Sequence, residues 1–347
     1  MARRIAAAAI GLAIALGTSV VGAQGIETPD VKITLDWAFQ GPQSIFLYGV
    51  QEGRFKKEGI NATIDRGSGS SDVMTRVASK AYQFGWADIA TMIKFNAEHP
   101  DNKLIAVYVT GGNSPLAVVT VQGRGIKTPK DLEGRTLGAA AGSAAFTLFD
   151  VFAAKAGFDP SKVTWRQLSG QLREPMMVRG EVDAVAGFTT SSVMSVVQLG
   201  VPMEKIVVLN YNDYGVKQYG TAIIARPDFV KQNPKTVAAV VRAINNSQKD
   251  AIANPQGSVK SILARDNLAD LKIECARLVD GLKNLTLTPE FRKGGLSTID
   301  DKRLEDSIEE TVKAFGLKSS PPASEVFTAA YLPPVKDRIP PPLGSCT

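Results

Sequence analysis

Histidine and cysteine are nearly absent from this chain. Its 347 residues hold one histidine, His99 in the loop Glu98-His99-Pro100-Asp101, and two cysteines, Cys275 and Cys346. Structural zinc takes four ligands, mostly Cys and His, and that supply is too small here. A Ser-His-Asp or Cys-His group would have to use His99, and no G-x-S-x-G turn offers a nucleophile. No P-loop exists, and Gly67-Ser68-Gly69 lacks the third glycine of a dinucleotide fingerprint. Acidic pairs such as Asp300-Asp301 and Glu309-Glu310 read as helix surface. No enzyme activity, metal or cofactor is therefore expected. Basic runs are missing too: no Lys/Arg run exceeds two residues, so the clustered stripe of a nucleic-acid binder is absent. Cys275 and Cys346 either bridge and pin the tail or stay as free thiols, since two cysteines make no framework.

What is present suits a soluble two-domain chain. Apolar residues make up 44% and charged residues 21%, and domains average roughly 150 residues. The first 23 residues read as a signal peptide. Met1–Arg4 is positive, Ile5–Leu16 is apolar but shorter than the roughly 20 residues a bilayer span takes, and Val21-Gly22-Ala23 offers small residues for cleavage. Export to the periplasm follows. Without Arg3 and Arg4 the net charge of +6 becomes +4, too diffuse to name a partner.

From residue 24 onward, strand-like and helix-like segments alternate, which predicts an α/β fold with largely parallel sheets. One β–α–β–α–β unit runs from Val31 to Met92, and a second follows Gln122. Both end alike, with a helix, a glycine and then an acidic residue leading a buried strand: Gly85-Trp86-Ala87-Asp88-Ile89 and Gly180-Glu181-Val182-Asp183-Ala184. The last third is helical, and the proline-rich residues 333–347 are expected to be extended with a disordered end.

Two polar loops meet helix starts, one in each unit. Ser68-Gly69-Ser70-Ser71 and Gly142-Ser143-Ala144 offer unpaired backbone N–H groups, with small residues that let a ligand approach. An ordinary N-cap explains either loop alone; their repetition at matching places favours binding. Trp37 and Phe39 follow the first strand, where α/β folds place a ligand crevice, and Gln43 opens the next helix. Thr91 at one strand end, Phe188 and Thr189 at its counterpart, Asn113 in the loop after a strand, and Tyr214 in a polar loop complete the candidates.

These residues resemble a known family. Leu35-Asp36-Trp37, the helix Gln43–Glu52, Gly53-x-Phe55 and Gly59-Ile60 look like the opening of ABC-importer substrate-binding proteins. The branch is the one for nitrate, sulfonate, taurine and thiamine-pyrimidine precursors. The likeness continues through Ala87-Asp88-Ile89-Ala90, Asp131-Leu132-Glu133-Gly134-Arg135 and Tyr331-Leu332-Pro333. Phe39-Gln40-Gly41-Pro42-Gln43 departs from the Asn/His stretch commoner in the pyrimidine-precursor subgroup, and no arginine stands out as a bidentate clamp for a sulfonate or carboxylate.

The resemblance implies a two-lobed periplasmic-binding clamshell (type II). Lobe 1 takes residues 24–120 and 221–332, lobe 2 takes residues 121–220, and crossings lie near Thr120–Gln122 and Tyr219–Ala222. It further implies a monomer that closes on a small anionic or planar heteroaromatic ligand and delivers it to a membrane permease. A thiamine-pyrimidine synthase resembles the same fold, but its chemistry relies on a histidine and a Cys-rich motif. A regulator's sensor domain also shares it, yet would need a DNA-binding helix-turn-helix where this chain has an export signal.

Overall fold

The computed structural model describes residues 25–318 and 320–346. The expected signal peptide, residues 1–23, lies outside them. Ten strands run in chain order: β1 Asp30–Leu35, β2 Asn61–Asp65, β3 Phe84–Asp88, β4 Ile105–Val109, β5 Leu116–Val121, β6 Thr136–Ala139, β7 Thr164–Gln167, β8 Ala184–Phe188, β9 Ile206–Asn210 and β10 Thr221–Ala225. They form two five-stranded sheets flanked by helices, in the orders β2-β1-β3-β10-β4 and β7-β6-β8-β5-β9.

The two sheets repeat one plan. β1 lies parallel to β2 and β3, as β6 lies parallel to β7 and β8. Each sheet then accepts one antiparallel strand from the other half of the molecule. β5 arrives from the first lobe and enters between β8 and β9, while β10 returns from the second and enters between β3 and β4. The molecule is thus two interleaved lobes, as expected.

The apolar runs follow from burial on both faces. Along β5, Leu116 and Val118 pack with Phe149 and Phe152 on one face, while Ala117 and Val119 pack with Met176, Met177 and Val196 on the other. In the first lobe, Ile33, Phe84, Trp86 and Ile223 join one larger core with the helix Pro234–Ala253.

Two expectations are corrected. The first crossing is not near Thr120–Gln122, because β5 is paired along its length within the second sheet. The chain crosses earlier, through residues 110–115, whose Gly111-Gly112-Asn113-Ser114-Pro115 cannot sustain a ladder. β5 thus lies within the second sheet, and the chain returns through residues 217–220, after Tyr211 and Val216 have packed in the core of the second lobe. The tail is also not loose. Val335–Arg338 forms a helical turn, buried Arg338 donates to the carbonyls of Pro333 and Leu296, and the Gly344 N–H donates to the Ile252 carbonyl.

Cys346 is bonded to Cys275, with 6.0 Å between their Cα atoms and a sequence separation of 71 residues. Among the described residues, no helix is long and apolar enough to cross a membrane.

Closing a loop of that length removes denatured-state entropy worth about 4 kcal/mol at most. Cys346→Ser should lower the urea midpoint accordingly, and dithiothreitol should do the same to the parent. A midpoint unmoved by either would show that the bridge adds nothing to stability.

Candidate functional site

The carboxyl ends of both sheets face one another, and the segments leaving them wall a chamber of about 850 Å³, counted out to its mouth. Asp36 and Trp37 follow β1, Thr110 follows β4, Ser143 lies beyond β6, and Phe188 ends β8; all line it. Strand ends at a crossover are where an open α/β sheet leaves its crevice. A wider outer cleft adjoins the chamber and shares Trp37, Gln40 and Ser191 with it.

Of the residues expected from sequence, Trp37, Gln43, Gly69, Asn113, Ser143, Ala144 and Phe188 line the chamber together. Trp37 lies against the second lobe so closely that a Cβ on Gly170 would sit 2.5 Å from its ring. Ser68 and Phe39 line the outer cleft instead. Gly142 and Ser71 form a contact between the lobes: the Ser71 N–H donates to the Gly142 carbonyl at 3.1 Å. Gly69 has φ +138°, and a Cβ there would lie 2.2 Å from the same carbonyl oxygen, so only glycine permits this approach.

Four further candidates also lie outside the chamber lining, each for a structural reason. The Ser70 Oγ accepts the Asp88 N–H, which fixes the loop. Thr91 donates its N–H and Oγ1–H to Asp88 Oδ1 as part of an N-cap. Thr189 donates its N–H to the Pro115 carbonyl. Tyr214 packs edge-on against Phe152, 5.7 Å between centroids, in the aromatic core of the second lobe.

Sequence reasoning missed Asp36, Trp86, Thr110, Arg173, Thr190 and Gln248, all of them chamber-lining. Asp36 is the most consequential. It is 2% exposed and accepts one hydrogen bond from Gln43 Nε2 at 3.2 Å. Burial pushes its carboxyl up to about 7, against the Gln43 bond and with help from the nearby Asp88. Burial likewise raises Asp88 to about 6, although Thr91 holds it back. Gln43 Oε1 and Asp88 Oδ2 are buried with no hydrogen-bond partner among the described residues, and an unmet buried acceptor is costly.

Arg173 brings a cation to the wall, but its charge is engaged. Its Nε and Nη2 both donate to Glu174 Oε1, Nη2 also to Ser192 Oγ, and Nη1 to the Ala186 carbonyl. Its guanidinium carbon lies 5.3 Å from the Trp37 ring centroid. Thr110 ties the floor together: its Oγ1 accepts the Trp86 indole N–H at 2.7 Å, and its carbonyl accepts from Gln248 Nε2 at 2.8 Å.

Asp36 also sets an expectation for stability. The folded protein holds its proton at pH values where the unfolded chain, titrating near 4, has lost it. That contribution is complete below about pH 4 and is lost as pH rises through about 7, a fall on the order of 4 kcal/mol at most. Urea unfolding at pH 5 and pH 8 should show Asp36→Asn losing less stability than the parent across that range. An equally steep loss in the variant would overturn the assignment.

Residues 42–258 match a family model described as NMT1/THI5 like. The 4-amino-5-hydroxymethyl-2-methylpyrimidine phosphate synthase of Schizosaccharomyces pombe is 24% identical over 220 residues, covering 61% of this chain and 62% of that relative, so less than two thirds of its length is matched. Among solved structures, the alkanesulfonate-binding protein SsuA of Xanthomonas axonopodis pv. citri, bound to MOPS, superposes with a TM-score of 0.65 at 14% identity, covering 88% of this chain and 98% of that one. The periplasmic nitrate-binding protein NrtA of Synechocystis PCC 6803 gives a TM-score of 0.67 at 11% identity, covering 88% of each chain. At these identities the structures establish a shared fold, the two-lobed periplasmic-binding architecture. With the family model covering more than half its length, this chain belongs to the NMT1/THI5-like family.

Proposed function

We propose that the protein is an exported solute-binding component of an ABC importer that captures a planar nitrogen heteroaromatic compound, neutral or cationic, and delivers it to its permease. The observation that carries this reading is the chamber walled by both lobes, with acceptors on one side and rings around it. Asp36 and the unpartnered Gln43 Oε1 ask for N–H donors, while Trp37, Trp86 and Phe188 supply apolar and aromatic surface. An anionic solute fits less well. Arg173 is the one cation among the chamber-lining residues, and its guanidinium is already engaged by Glu174, Ser192 and a carbonyl. A sulfonate or nitrate would also meet the Asp36 carboxyl.

Closure follows from the placement of these groups. A ligand touching Asp36 and Trp37 in one lobe and Ser143 and Phe188 in the other gains all its contacts only when the lobes meet, so binding shifts the population toward the closed form. The permease then reads shape, with no bond made or broken. The candidate leader at residues 1–23 and the likeness to periplasmic proteins support export.

A synthase reading rests on the fission-yeast relative. The chemistry of that resemblance calls for a histidine and a Cys-rich motif. Here His99 is exposed, stacked on Phe95 with its Nδ1 at 3.0 Å from the Phe95 carbonyl, and both cysteines are consumed in one disulfide. Binding is therefore the better-supported function.

A thermal-shift and calorimetric screen of aminopyrimidines, flavins, aromatic acids, alkanesulfonates and nitrate tests the reading. A heteroaromatic base at 100 times its Kd should add about 2.7 kcal/mol of stability. Asp36→Asn should weaken that ligand about 10- to 100-fold, the value of a charge-assisted hydrogen bond. Binding of sulfonates or nitrate in preference to every heteroaromatic compound would contradict the ligand class, and turnover of any of them would contradict the non-enzymatic role.

A further inference from the structure

The helix Leu271–Gly281 belongs to the first lobe, where it packs on the helix Pro255–Leu263 and on the turn Gly41–Gln43. It also packs on the helix Thr189–Gln198 of the second lobe, and Arg277 carries the hydrogen bonds across that contact. Arg277 Nη1 donates to the carbonyls of Thr190 at 3.2 Å and Ser191 at 2.5 Å, and its Nη2 donates to Ser195 Oγ at 3.2 Å. All three acceptors lie in the first two turns of the helix Thr189–Gln198, which packs on β5, β8 and β9 of the second lobe. Thr190 and Ser191 also line the chamber.

The base of this bridge is firmly held. Arg277 Nε donates to Glu274 Oε1 at 3.1 Å, while Glu274 Oε2 accepts the Gly41 N–H at 2.7 Å. Arg277 is 1% exposed and Glu274 6%. Cys275, between them in sequence, carries the disulfide to the tail. A Cβ on Gly41 would lie 2.3 Å from the Glu274 carbonyl oxygen, so the turn and the helix are in close backbone contact. Glu274 keeps the guanidinium charged and aimed, and its five N–H groups in a planar fork suit several acceptors at once.

We propose that Arg277 is the positioning residue for capture: an interlobe latch that holds the Thr190–Ser191 turn against the chamber and sets how much of the population is closed. Glu274 and Arg277 also line the outer cleft, so parting the lobes admits water to the pair there and replaces three protein acceptors with solvent. The latch is thus reversible, with a buried closed form and a solvated open one. It requires only the two-lobed fold and goes beyond the choice of solute.

Pulsed electron–electron resonance on the purified protein, without added solute, tests it. Spin labels at Leu268→Cys and Leu199→Cys stand on opposite rims of the outer cleft, at positions 87% and 43% exposed. The otherwise unaltered protein should show a short-distance, closed population beside a longer, open one. Arg277→Met should enlarge the longer population, raising the open-to-closed ratio about tenfold or more, and Arg277→Lys should fall between the two. Glu274→Gln with Arg277→Met removes both charges together, guarding against misfolding around a lone buried carboxylate. Ser195→Lys attacks the same contact from the second lobe and should open it as well. A merely structural arginine would lower the unfolding midpoint and leave the distance unchanged. Identical distributions in the labelled parent, Arg277→Met and Ser195→Lys would overturn the proposal.

Discussion

Everything the cleft does depends on how two thin crossings are held, and one guanidinium holds them both. Arg303, on the helix Asp301–Ala314, donates to the Gly112 carbonyl in the outgoing crossing and to the Lys217 and Gln218 carbonyls in the returning one. It pairs with Glu290 and lies 4.1 Å from the Tyr219 ring centroid. The crossings also bond to each other, with the Gly220 N–H donating to the Gly111 carbonyl and the Thr110 N–H to the Thr221 carbonyl. The crossings thus form a narrow paired ribbon in which Arg303 is a donor common to both. Gly220 marks the tightest point: a Cβ there would lie 2.5 Å from the Asn113 carbonyl oxygen.

From that ribbon the site follows. Thr110 stands where β4 ends and the crossing begins, and it anchors Trp86 and Gln248 around the chamber floor. The opposing strand ends then supply one group each, so that neither lobe alone encloses a ligand. Electrostatics divide the same way. The first lobe contributes a buried carboxyl with little to neutralise it, whereas the second contributes an arginine already neutralised by its sequence neighbour Glu174. A solute able to donate N–H bonds relieves the first condition without disturbing the second.

Much of this was legible in the sequence, and the remainder was hidden for identifiable reasons. Strand and helix order could be read because strands buried on both faces are continuous apolar runs, as in Leu116–Val121. That same continuity concealed which sheet β5 joins, since a run apolar on both faces carries no marker of its partners. Trp37, Gly69, Ser143 and Phe188 were visible as polar or aromatic breaks at strand ends. Asp36 was not, because a single carboxylate beside a tryptophan looks like any turn residue until its burial is known. Arg173 and Arg277 were not singled out, because only tertiary packing turns each into a buried, paired cation. Tyr214 misled in the opposite sense: its polar loop is local, but its ring belongs to the Phe149–Phe152 core. The proline-rich tail likewise looked loose because the Cys275 that holds it lies 71 residues away.

A crystal structure of the protein purified natively from cells that export it, with whatever solute it carries, is the most direct measurement. The expected result is a planar molecule between the lobes, in contact with Trp37 and with a nitrogen within hydrogen-bond reach of the Asp36 carboxyl. A solute held outside that chamber, or one presenting an anionic group to Asp36, would contradict it.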